Sequence, residues 1–294
     1  MLILAGVVVV LGSVAGGYLM AGGHLILLLQ PAEFVIIGGA ALGSLLISTP
    51  PKVLVKMLKQ TQGIFGGGLT KDDFGNLLSM LYQLFRVSQQ SGVMALEPHF
   101  ENPEQSAVLS KYPKFLRRHH SVAFLSDSFK VIIVGGMTAH DLEALMDEDL
   151  FVHHEDERGP SATLNKVSDA LPGLGIVAAV LGIVITMQAI DGPPAEIGHH
   201  VGAALVGTFL GILMSYGFGQ PLAASLEQRA QDDGRYEQCI KAGVIAMFKG
   251  LPPAIAVEFA RRVLPHEVRP TFEETESLCR ASRSDPQAPA AAAA

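Results

Sequence analysis

GLGIVAAVLGIVITMQAI, residues 173–190, carries no charged side chain and lies between Asp169 and Asp191. The small residues Gly175, Ala179, Gly182, Thr186 and Ala189 recur at alternating steps of four and three. That spacing puts them on one face of a helix. Roughly 20 apolar residues cross the hydrocarbon core of a bilayer, and a face of small residues lets another backbone approach closely. Two readings are open for this face. It packs on a neighbouring helix of the same chain, or it lines a sheath around a helix of another protein.

The rest of the chain fits a membrane setting. Of its 294 residues, 49% are hydrophobic and 17% are charged, below the ~25% charge usual in soluble domains. Mean hydropathy is positive. The net charge of −7 excludes the strongly basic footprint of a nucleic-acid binder. Cys239 and Cys279 form no CxxC or Cys/His set, so neither a disulfide framework nor a zinc site is expected. His153-His154 and His199-His200 read as surface pairs, since adjacent residues do not share a helix face.

Residues 1–32, 34–51, 170–190 and 197–226 hold no Asp, Glu, Lys or Arg. Gln30-Pro31 and Glu33 divide the first two stretches. Four spans follow, at about 2–22, 33–49, 171–191 and 200–220. The first lacks the basic start of a signal peptide and stays as a helix. All 21 Lys and Arg residues fall in 52–166 or 229–283, which places those segments and both termini on the cytoplasmic side. The expected architecture is all-α: a polytopic membrane protein with four transmembrane helices and a large helical cytoplasmic domain. Its parts are a transmembrane hairpin at 1–51, a cytoplasmic domain at 52–170, a second hairpin at 171–221, and C-terminal helices with a disordered tail at 222–294.

Within the cytoplasmic parts, Phe74, Leu77, Leu78, Leu81, Leu84 and Phe85 recur at helical spacing over 71–91, with Gly92 as a stop. Thr138 and Asp141 form a capping box, Asp replacing the usual Glu. The helix they open runs to about His154, and Gly159-Pro160 breaks it before the third span. The fourth span continues past Pro221 to Gly250. Residues 254–264 make one more short helix, and SRSDPQAPAAAAA, from Ser282, is low in complexity.

The fourth span repeats the small face, with Ala203, Gly207, Gly211, Ser215 and Gly219 at steps of four. Thr186 suits a bond to the preceding turn, while Thr208 fits either that or a lining for an ion path. Pro172 and Pro221 read as helix punctuation at the ends of their spans. No carboxylate lies deep in any expected span. A proton path normally needs one, so either the chain transports nothing or a partner supplies the carboxylate. No nucleophile–base set and no phosphate-binding loop emerges, so no enzyme, cofactor or metal is expected.

Several stretches resemble the MotA stator family of the bacterial flagellar motor, within the wider MotA/TolQ/ExbB group. They are MLILAGVVVVLGSVAGGYLMAGG at the start, QPAEFVIIGGA at 30–40, EALMDED at 143–149, LPGLGIVAAVLGIV at 171–184, VGTFLGILMSYGF at 206–218, QPLA at 220–223 and PPAIAVEFARR at 252–262. The resemblance implies a proton-conducting stator: a pentameric ring of such subunits around two MotB chains, each with a membrane aspartate. It implies that proton flow turns the ring against the rotor protein FliG. By the same resemblance Gly175, Ala179, Gly182 and Thr208 line the ion path, and Pro172 and Pro221 act in gating. Rotor contact falls on Glu97 and on a basic position occupied here by Gln89, with Arg86 one helical turn away. Ala179 stands where sodium-driven relatives carry threonine, which implies protons. An ExbB- or TolQ-like subunit energising an outer-membrane process is the alternative, but those relatives lack the N-terminal hairpin. A third reading, a membrane scaffold without conduction, does not use the motif.

Overall fold

In the computed structural model, residues 2–64, 68–188 and 190–283 are described, and among them every regular element is helical. Ala189 and the tail from residue 284 lie outside these residues. The helices are α1 (Leu2–Met20), α2 (Pro31–Ser48), α3 (Pro51–Gly63), α4 (Lys71–Ser91), α5 (Glu97–Glu101), α6 (Pro113–Leu116) and α7 (His119–Val134). They continue as α8 (Ala139–Gln188), α9 (Pro194–Ile212), α10 (Gln220–Phe248), α11 (Pro253–Arg262) and α12 (Phe272–Arg283). Four helical stretches are long and apolar enough to cross a membrane: Leu2–Met20, Leu25–Ser48, Ala139–Gln188 and Pro194–Phe248. The chain divides into two compact units, residues 1–67 with 157–229, and residues 68–156 with 230–294. Helices α8 and α10 contribute to both.

The first unit holds all the apolar spans. Helix α1 buries none of its residues, and Leu2, Val8, Val9 and Met20 are exposed. In a bilayer those side chains face lipid tails, which is why an all-apolar helix is stable there. The unit's small core joins Ile37 and Ala41 of α2 to Leu171 and Ala178 of α8 and to Val206 and Leu210 of α9.

One expectation about proline is corrected here. Pro160 does not end a helix: α8 is continuous over 50 residues, with Pro160 and Pro172 both inside it. A proline removes one backbone donor and crowds the carbonyl four residues back. Partners on either side hold the helix through Pro160. Glu157 meets Lys56 Nζ at 3.0 Å, Arg158 meets Glu227 at 3.7 Å, and the Ser161 hydroxyl donates to the Arg158 carbonyl at 2.9 Å. The helix of the fourth span continues past Pro221 as expected, but through a π segment the sequence did not announce. Residues Leu213–Gly219 wind as a π-helix and lead directly into α10, with Pro221 at its second residue. A π turn uses i→i+5 bonds, so it changes the bonding register just where proline supplies no donor.

The second unit is a soluble-type bundle. Phe74, Leu77, Leu78, Leu81, Leu84 and Phe85 of α4 are all buried, in a core shared with α7, α10 and α11. Thr70 caps α4 with Asp73, and Gly92 ends it at φ 82°. Thr138 accepts from the Asp141 amide at 3.2 Å while Asp141 accepts from the Thr138 amide at 3.0 Å, as the sequence predicts. Helix α12 is a finding beyond the sequence reading. Its signal is Thr271, which accepts from the Glu274 amide at 3.2 Å while Glu274 accepts from the Thr271 amide at 2.6 Å. The helix takes in Ser282 and Arg283, the first two residues of the expected tail.

His99 on α5 is buried. The Ser106 hydroxyl accepts the Val108 and Leu109 amides at 3.3 and 3.0 Å, so its own proton points to His99 Nδ1 at 2.7 Å. Burial pushes the imidazole's pKa below its ordinary 6.5. Because the folded value lies below the unfolded one, this site's stability is complete above about pH 6.5 and is lost as pH falls through that value. The melting temperature of the purified protein in detergent is therefore expected to drop between pH 7.5 and 5.5. His99→Asn, which keeps an acceptor but does not titrate, should be less stable at pH 7.5 yet show a smaller drop.

Candidate functional site

The third and fourth spans meet through their glycines. A Cβ placed on Gly175 would lie 2.7 Å from the Gly207 carbonyl oxygen and 3.1 Å from the Gly211 Cα. One on Gly211 would lie 2.5 Å from the Leu171 carbonyl oxygen and 2.9 Å from the Gly175 Cα. One on Gly182 would lie 2.7 Å from the Ala204 Cβ. These neighbours are backbone or a first side-chain carbon, which no rotamer change can move. The small faces of α8 and α9 thus pack on each other within the chain. Of the two readings open from the sequence, this one describes Gly175 and Gly182. Ala179 is buried, and Thr208 is half-buried beside Gly207. Thr186 donates to the Gly182 carbonyl at 2.8 Å, the expected bond to the preceding turn.

The two prolines sit beside one polar joint. Ser168, 1% exposed, donates to the Leu164 carbonyl at 2.7 Å and fills the place a Gly219 side chain would need. Gln220 donates to Asp169 at 2.7 Å. Pro172 is one turn along from Ser168 and Asp169, and Pro221 adjoins Gln220. The sequence reading missed these four partners, because they come together only once α8 and the π segment are packed.

It also missed the placement of Glu33. This residue separates the first two apolar stretches in sequence, yet it belongs to the first turn of α2, inside the second apolar span. It is 6% exposed, and its Oε2 has no hydrogen-bond partner. A Cβ on Gly207 would sit 2.5 Å from that oxygen and 3.1 Å from the Ala178 Cβ. Glu33 thus stands at the start of α2, at the edge of the expected 33–49 span, and its burial is what the sequence did not show. Ser215, in the π segment, is fully buried, and its Oγ also lacks a partner.

In the second unit, Arg86 is half-buried and Gln89 exposed, one turn apart near the end of α4. Glu97 is exposed and opens α5 after the Gly92 turn. His153 is not a surface residue. Its ring stacks on His120 at 3.3 Å between centroids, and both face buried Glu237, at 3.5 and 3.6 Å. Ser121 also donates to this carboxylate, at 3.4 Å. The three ligand-type atoms lie within 4.8 Å of one another, the one such cluster among the described residues. They come from three helices, so no sequence spacing announces them.

The chain is a helical protein with two apolar hairpins and a glycine seam between its third and fourth spans. Residues 4–92 match the family model for the motility protein A N-terminal region, and residues 115–235 match that of the MotA/TolQ/ExbB proton channel family. Motility protein A of Salmonella typhimurium is 42% identical over 98% of each chain. The structure of C. jejuni MotAB superposes with a TM-score of 0.74 at 18% identity, covering 90% of this chain and 96% of that one. The flagellar MotAB stator complex from Bacillus subtilis gives 0.70 at 21% identity, covering 89% and 95%. The chain belongs to the MotA family of flagellar stator subunits.

The seam yields a controlled test. Gly211→Ala must push α8 and α9 apart, at a cost of about 1–3 kcal/mol for an overpacked contact. Gly202→Ala, on the same helix with nothing within 4 Å of its Cβ, should be neutral. Melting of the two variants in detergent should differ clearly, with only Gly211→Ala lowered.

Proposed function

We propose that the chain works with a MotB-type partner as a proton-conducting stator that turns inward proton flow into torque on the rotor protein FliG. Identity of 42% along nearly the whole length of a motility protein A carries this reading. The proposed assembly is a pentameric ring around two partner chains, each supplying a membrane aspartate. The Lys/Arg-free hairpin turns face outward, and both termini and the segment 52–170 lie in the cytoplasm. The transmembrane potential supplies about 2.3 kcal/mol per proton per 100 mV.

The residues take their parts as follows. Ala179 and Thr208 border the ion path, with Gly175 and Gly182 setting the helix spacing beside it. Alanine at 179 offers no oxygen to replace a sodium ion's hydration shell, which supports proton use. Pro172 and Pro221 flank the Ser168/Gly219 and Asp169/Gln220 joint. A change in helix bend at either proline therefore loads that joint, and this supports a gating role. Glu97 and Arg86 are the charged contacts to the rotor, with Gln89 between them as a neutral neighbour. Exposed pairs of this kind are individually weak and salt-sensitive.

A strain lacking the gene is expected to build normal filaments that do not rotate, and to swim again when the gene returns. Normal swimming of the deletion strain, in cells with no second stator set, would sink the reading. Speed in the restored strain should follow external pH and not external sodium; a speed that tracks sodium at fixed pH would refute proton use.

A further inference from the structure

Glu33 is the only charged residue among residues 1–51. Its carboxyl is more than nine-tenths buried, has an oxygen without a partner, and points into the α8–α9 seam at Gly207. Gly207 leaves the room it occupies, since any side chain there would collide with it. The titratable groups on the elements packed around it are His24, before the short 3-10 turn Leu25–Leu28, and Glu196, His199 and His200 near the start of α9. Oε2 bonds to none of them. The apolar part of α8 from residue 171 contributes no charge. A carboxyl in such a place either holds a proton or needs a cation beside it, and an ionisable group inside a span points to function. A second orphan lies further along the fourth span. The Ser215 hydroxyl is two steps of four beyond Gly207, about 12 Å along a helix axis, and it too lacks a partner.

We propose that Glu33 is a proton-binding group of the stator, in addition to the partner's aspartate, and that it exchanges its proton along the fourth span, past Gly207 toward Ser215. Loading forms an O–H bond on Oε2 and breaks one on a hydronium ion from the outer side. Release breaks that O–H bond and hands the proton to a water molecule at the seam, leaving the carboxylate, and no electrons move. The direction of loading rests on the orientation and stator role proposed above.

The test uses the full chain with its partner subunit. In membranes carrying the wild-type complex, a lipid-soluble carbodiimide, which attacks protonated carboxyls in apolar surroundings, is expected to label Glu33. Mass spectrometry should show that labelling falls as external pH rises. Glu33→Gln, which keeps the shape and loses the proton site, should assemble with its partner but swim slower by roughly tenfold or more, and Glu33→Asp should recover part of the speed. Absence of label at every pH overturns the proposal, as does a Glu33→Gln strain that swims like wild type at every external pH. If Glu33→Gln does not assemble, the wild-type labelling and the Glu33→Asp strain decide alone. If the wild-type gene fails to restore rotation, the stator reading falls, while the labelling still reports on Glu33.

Discussion

The membrane unit depends on backbone-to-backbone contact between two helices. At Gly175 and Gly211 the third and fourth spans touch through main-chain atoms, with no side chain between them. Lipid tails are as apolar as leucine, so burial of apolar surface gives helices little reason to associate in a bilayer; close packing does. Bulk at either of these positions would open the seam along its length. Three polar features of the membrane unit lie around this contact: the Glu33 carboxyl at Gly207, Thr208 beside it, and the Ser168–Gly219 fit beyond Gly211.

The prolines gain meaning from the same packing. In an isolated helix Pro160 and Pro172 would be breaks. In α8 they are passages, because neighbouring side chains steady the turns on either side. The π turn before Pro221 does the equivalent work in the fourth span. A helix that has lost a hydrogen bond but kept its contacts bends more readily than an intact one, and both spans have that weakness beside one shared joint.

How much of this was legible in the sequence divides along physical lines. The absence of charge marked the four spans, and the Lys/Arg distribution marked which segments lie between them. Local rules located α4 to the residue, since Gly92 stops it, and the Thr138–Asp141 box opens α8 as expected. What failed were local rules overridden by tertiary contact. Pro160 reads as a break until Glu157, Arg158 and Ser161 find their partners. Glu33 reads as a boundary because a charge usually marks one, and nothing nearby in sequence shows that Gly207 makes space for it. The His120–His153–Glu237 cluster was illegible in principle, being assembled from three helices. Helix α12 was legible: Thr271 and Glu274 have capping spacing, but a low-hydropathy segment next to the tail hid it.

The seam also bears on how such a chain tolerates genetic change. Every single-base change that replaces a glycine codon with that of another residue adds at least one carbon atom. At Gly175 and Gly211 that carbon has nowhere to go, so these positions have no conservative neighbour in the genetic code. Most core positions can drift through a series of similar side chains while packing adjusts. Here drift has no first step, and change would require coordinated substitutions on both helices.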